Sequence, residues 1–180
     1  MRYHIIISSA VKMSEAQKLF SSYPQQVIGG PGQASQTYSL KPGFYAVHNR
    51  QPGTTANGAR YTFNDGTIAV FQGAPDQSGE SDASEKLSPV YSLEPGGSLA
   101  VPTGLIFIRL RDGLAIDERL EEIKRAGFEI TERLAYAPNA VWLRANSNLI
   151  ADALKGIDKL KEIPDVENVE PQMLMESARR

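Results

Sequence analysis

The chain of 180 residues contains no cysteine. That removes disulfides, thiolate nucleophiles and zinc–thiolate sites, and it leaves the redox compartment open. Histidine is almost as scarce, with only His4 and His48. Neither has a Gly-x-Ser-x-Gly motif nearby or an acid at a telling distance, so a Ser-His-Asp site has little to be built from. Histidines and acids do not converge at metal-ligand spacing, and no metal or cofactor is expected. Charge of one sign is missing too. A formal net charge of -2 gives no basic field, so neither nucleic acid nor an anionic membrane is an implied partner. No apolar run approaches a membrane span. The start, MRYHIIISSAVKMSEA, offers a basic residue and a brief Ile5-Ile6-Ile7 run, too short for a convincing signal peptide, and localisation stays open. What is present is ordinary globular composition, 41% hydrophobic and 22% charged. That suffices for a buried core in one domain, or in a small domain with an extension.

Residues 1–35 read as an N-terminal extension. Tyr3 to Ile7 could form a strand, and Ser14-Glu15-Ala16-Gln17 has the Ser-x-x-Gln form of a capping box, predicting a short helix through Phe20. Gly29-Gly30-Pro31-Gly32 lacks the Lys-Ser or Lys-Thr of a phosphate loop, so a flexible linker is the simpler reading. Residues 36–101 turn to β composition. Phe44 to Val47 is one run, and Tyr61 to Phe63 and Thr67 to Phe71 flank Asn64-Asp65-Gly66, a strong hairpin signal. Gly73 to Glu85 is acidic and rich in Ser and Gly, hence a solvated loop. Val90 to Leu93 and Ser98 to Val101 flank Pro95-Gly96-Gly97 as a second hairpin. A small antiparallel β unit is expected.

Residues 102–180 alternate between periods. Leu105 to Leu110 reads as a strand. Ile116, Leu120 and Ile123 recur at helical spacing, with acids early and Lys124-Arg125 late, and Gly127 is a stop. Phe128, Ile130, Leu134 and Tyr136 then follow period two. Pro138-Asn139 turns the chain into Ala140 to Arg144, and a second helix places Leu149, Ala153, Leu154, Ile157 and Leu160 on one side. The last strand, Val166 to Glu170, ends at Pro171, whose nitrogen cannot donate to a ladder. The order is βαββαβ, an α+β ferredoxin-like domain in which two helices cover one face of a four-stranded antiparallel sheet. The other face is left bare, and side chains there such as Leu105, Phe107 or Trp142 would form a docking surface. A tryptophan such as Trp142 is more often a core or surface-packing residue, and the bare face is what favours an interface role. Glu118, Glu121 and Glu122 are better read as a solvated helix face than as a paired-carboxylate site. Gln172 to Arg180 has neither length nor period for another element. Its Met173, Leu174 and Met175 either fold back, as frayed termini do, or serve as an extended ligand for a cleft.

Together, the βαββαβ order, Leu160-Lys161-Glu162-Ile163-Pro164 and Val166-Glu167-Asn168-Val169-Glu170-Pro171 resemble the propeptides of subtilisin-like serine proteases. LAVPTG, YAPNAVWLRA and VENVEPQMLM are similar to stretches that precede the catalytic domain in some bacterial subtilases. The resemblance covers about Leu105 to Arg180, and the protease's own catalytic motifs are absent. It implies a non-enzymatic protein, an excised prodomain or a free-standing inhibitor, monomeric when free. Its partner would be a subtilisin-like serine protease, met in cis or in trans. The bare face would pack on two surface helices of the protease, with Phe107, Trp142, Asn139 and Glu170 as docking candidates. Gln172, Met173, Leu174, Met175, Glu176, Ser177, Ala178, Arg179 and Arg180 would enter the cleft as a product does, and assist folding of the enzyme. The family's carboxylate in the central β-turn falls near Pro138-Asn139, where Asn139 could accept from helix N–H groups without the charge. The rival reading is a ferredoxin-like interaction or ligand-sensing domain unrelated to proteases.

Overall fold

The structure, a computed structural model, describes residues 15–75 and 86–176. The elements run α1 (Glu15–Leu19), β1 (Gln26–Gly29), β2 (Gln36–His48), β3 (Tyr61–Phe63), β4 (Ile68–Gln72), β5 (Lys86–Glu94) and β6 (Leu99–Leu110). They continue through α2 (Leu120–Arg125), β7 (Phe128–Arg133), β8 (Ala140–Ala145), α3 (Ile150–Lys155), α4 (Ile157–Lys161) and β9 (Val166–Met175). This is a mixed α+β protein with few helices, and its nine strands pair antiparallel in one sheet. Among the described residues no helix is long and apolar enough to cross a membrane.

β6 is the spine, because it has neighbours on both sides along its length. Its first residues pair with β5 (Tyr91 opposite Ala100) and its second half with β8 (Phe107 opposite Trp142). Its other edge is lined by β9 from Val166 to Met175. The C-terminal strands therefore lie in the order β9-β6-β8-β7, with α2 between β6 and β7 and α3–α4 between β8 and β9. Alternation along β6 decides which face is covered. Ile106, Ile108 and Leu110 are fully buried and share one core with Ile116, Ile123, Phe128, Leu154 and Leu160 from the helical side. The same core continues into the amino-terminal half through Val27, Tyr38 and Tyr91. A second core gathers Ala46, Ile68, Val70, Val90 and Val101.

Local chemistry accounts for most boundaries. Glu118 accepts from the Ala115 N–H at 3.1 Å, capping the turn that leads into α2. Gly127, at φ +91, ends that helix where a side chain would be strained. Gly156 lies between α3 and α4, and a Cβ there would come within 2.5 Å of the Phe128 ring. The Asn64-Asp65-Gly66 hairpin forms as expected, with positive φ at all three residues, and so does the β5–β6 hairpin.

Several expectations are corrected. Ser98–Val101 and Leu105–Leu110 are one continuous strand, so the boundary expected between residues 101 and 102 falls inside β6. A register shift around Thr103–Leu105, with Gly104 at φ +91, had made one strand look like two. The Gly29–Gly32 stretch is not a loose linker. β1 before it pairs with β2, and Gly30 donates to Val169 O at 2.9 Å, joining the beginning of the described chain to β9. Phe44–Val47 is only the end of a 13-residue strand whose register shifts between Leu40 and Tyr45. Beyond Arg133 the period-two pattern leaves the sheet, and Tyr136 stands 85% exposed. Leu149, expected on the buried side of its helix, is also exposed. The largest correction concerns Pro171. It does not end β9, which runs on to Met175. Its ring points toward Gly29, where a Cβ would overlap Pro171 Cδ, and it sits at the register shift of β6. A proline is tolerated there because its nitrogen faces no ladder acceptor on that side. The expected strand Tyr3–Ile7, His4, most of the Gly73–Glu85 loop, and Ser177, Ala178, Arg179 and Arg180 lie outside the described residues.

Candidate functional site

Direct cross-strand partners share a face, so the registers define the side of the C-terminal strands opposite the helices. Across it run Leu105 beside Arg144, and Phe107 between Trp142 and Glu170. Arg109 lies between Ala140 and Asn168. Phe107 and Trp142 meet edge to face, with ring centroids 5.4 Å apart, and both are half-buried. Such a pair is rigid and apolar at its centre, as an interface anchor needs to be. The rim is polar. Arg144 pairs with Glu129 and Arg109 with Glu167 at 3.5 Å, both at half-exposed positions where ion pairs add little stability. Two buried polar atoms on this face, Arg109 Nε and Asn168 Oδ1, have no hydrogen-bond partner.

The other predicted site residues separate into two groups. Glu170 joins the face, accepts from Asn168 Nδ2 at 2.7 Å, and helps to raise the pKa of Tyr38, a shift owed first to burial. Asn139 lies in the β7–β8 turn, and its Nδ2 donates to Leu110 O at 2.9 Å. Its amide nitrogen is thus committed to holding the turn against β6. Gln172, Met173, Leu174 and Met175 are not a free tail. Met173, Leu174 and Met175 sit opposite Pro102, Val101 and Ala100, and Thr103 donates to Gln172 Oε1 at 2.8 Å. Met173 and Met175 pack on the first core and Leu174 on the second. Only Glu176 of the described tail is exposed beyond the strand. The apolar run Leu99-Ala100-Val101 signals a strand covered on both faces, but nothing in it marks which segment pairs along its edge.

Sequence reasoning also missed a buried pair. His48 Nε2 lies 2.8 Å from Ser88 Oγ, and both residues are closed to solvent. The Ser88 hydroxyl also lies 3.0 Å from Pro89 O, and which partner donates in the His48–Ser88 bond depends on the imidazole tautomer. The pair ties β2 to β5. Burial, and then the charge of Lys86, push the His48 pKa down to about 4. At the start of β9, Asp165 accepts from Arg119 at 2.6 Å and pairs with Arg111 at 2.8 Å. The Arg119 hydrogen bond holds its carboxyl below the usual range. An open cleft of about 370 Å³ between α1 and the β2 irregularity is lined by Phe20, Leu40, Pro42, Phe44 and Pro89. No group of three or more metal-ligating side chains occurs among the described residues.

No protein-family model, curated protein or solved structure matches the chain.

Proposed function

We propose that this chain is a non-enzymatic, propeptide-like docking module whose C-terminal half is a ferredoxin-like βαββαβ unit and whose partner is a subtilisin-like serine protease. The observation that carries the docking part is the Phe107–Trp142 pair, held at the centre of a sheet face that the helices leave uncovered. The β9-β6-β8-β7 order with both helix connections on one face supports the ferredoxin-like reading. The protease as partner rests on the sequence resemblance of Leu160–Pro171 and its neighbours. In this reading Phe107, Trp142 and Glu170 meet the partner, and Glu176 is exposed past the end of β9.

The test is peptide hydrolysis by a subtilase mixed with the full chain. Inhibition is expected, weakened at least about tenfold by Trp142→Ala, the scale of an aromatic hot spot. Truncation belongs after Met175, because cutting at Pro171 would also strip the strand opposite Ala100–Pro102. One observation favours the rival, an interaction or ligand-sensing module unrelated to proteases. Met173 and Met175 already have apolar partners within their own chain. That reading predicts hydrolysis unchanged by any amount of the protein.

A further inference from the structure

β9 is held in two different ways along its length. From Val166 to Pro171 it lies between β6 on one side and the Gly29–Gly30 turn on the other, where Gly30 donates to Val169 O and Gly29 touches Pro171. Arg111 and Arg119 clamp its entrance through Asp165. Past Pro171 the register with β6 has shifted, because Thr103–Leu105 stand against Gln172 alone. The final three residues pair with Pro102, Val101 and Ala100, and their side chains are only half-buried. A bulge uncouples the ladder on its two sides, so the end of the strand can leave without disturbing the beginning. The segment Gln172–Met175 is also already extended, with Met173 and Met175 on one side and Leu174 on the other. An extended strand of this kind is what a partner cleft takes up by adding it to its own sheet edge.

We infer that Gln172–Met175 is an exchangeable strand end: stored on β6 in the free chain, and transferred to the extended-peptide cleft of the partner on binding. The inference rests on the docking reading above and supplies its missing step, since strand and cleft cannot hold the same backbone edge at once. Binding then has two stages. The Phe107–Trp142 face docks first, and β6 gives up Gln172–Met175 afterwards, so the observed rate of tight inhibition saturates as partner concentration rises.

A tether tests this cleanly, because the chain has no cysteine of its own. Ala100 faces Met175 and Val101 faces Leu174. Consecutive antiparallel pairs alternate between hydrogen-bonded and non-hydrogen-bonded, and both spacings lie within disulfide reach. The two variants are therefore Ala100→Cys with Met175→Cys, and Val101→Cys with Leu174→Cys, each compared oxidised and reduced against a subtilase. The expected result is inhibition at least about tenfold weaker when oxidised, restored by reduction, the ratio that a bound state needing release imposes. Retention of face docking by the oxidised form, measured as binding to a subtilase whose active-site serine is blocked, would support the exchange further. Equal inhibition by oxidised and reduced forms would overturn the exchange and leave face docking standing. No inhibition by the unmodified chain would overturn the docking reading, and the exchange with it.

Discussion

Lowering the pH should destabilise this protein through one imidazole. His48 is 5% exposed, bonded to Ser88, and has its pKa pushed from 6.5 to about 4 by burial and by Lys86. The unfolded chain therefore takes up a proton near pH 6.5 that the folded chain refuses until about pH 4. Stability rises with pH wherever the unfolded state binds more protons, so it must fall as the pH drops from 6.5 toward 4 and level off below. At 1.36 kcal/mol per pKa unit the whole shift is worth about 3 kcal/mol, and about 2 kcal/mol of it is lost between pH 7 and pH 5. For a chain of this size that is a fall in Tm of roughly 4–8 °C. Asp152 and Asp165 are held below 3.8, so their share of stability is lost only at lower pH, outside this window. Denaturant unfolding of wild type and His48→Gln at pH 7, 6 and 5 measures the effect. The variant keeps a side-chain amide to meet Ser88 but has no imidazole at position 48 to titrate, and its slope over this range should be flatter by about 2 kcal/mol. An NMR titration of the folded chain should find the imidazole still neutral at pH 5. Movement of the His48 resonances at pH 6–7, or an equal slope in His48→Gln, would refute the buried-imidazole argument.

Three further outcomes follow from close approaches and from the uncovered face. Gly29→Ala would drive a methyl into Pro171 Cδ and to 3.2 Å from Glu170 Cα, neither of which can swing aside. A destabilisation of about 1–3 kcal/mol is expected by urea unfolding. Gly156→Ala pits a helix-propensity gain of about 1 kcal/mol against overlap with the buried Phe128 ring. The overlap should win, and a raised Tm would show that the ring has room to yield. Phe107→Ala removes a half-buried ring from the edge-to-face pair and should cost about 1 kcal/mol of stability, less than a core phenylalanine would. Its loss of subtilase inhibition should exceed that stability cost severalfold, as isothermal titration can check.

The C-terminal pattern was legible because each element announces its own period and its own stops. Ile116, Leu120 and Ile123 before Gly127, and Ala153, Leu154, Ile157 and Leu160 before Pro164, are enough to place two helices on one side. That two helical connections on one side leave the other face free of helices is a matter of counting; that Phe107 stands opposite Trp142 came only from the register. What stayed hidden was pairing between distant segments. Nothing local in Gln26–Gly29 tells of β2, and nothing in Gln172–Met175 tells of Ala100–Pro102, because partners on a ladder leave no spacing in the sequence. Proline misled for a related reason. Pro171 and Pro102 both look like strand ends, yet each stands in a strand beside a register shift, where a donor can be missing without loss. The His48–Ser88 bond joins residues 40 positions apart, and no motif marks it.

The hydrogen bond from Gly30 to Val169 sets an order of events for a chain emerging from a ribosome. The early turn must wait, with its acceptor not yet made, until β9 has been translated, and β6 spends the same interval lacking the strand that covers its far edge. Local hairpins such as β3–β4 can form at once, whereas this final stitch is long-range and therefore slow to find. This part of the fold closes only when β9 arrives, and a nascent chain halted before Val166 should remain open to proteolysis.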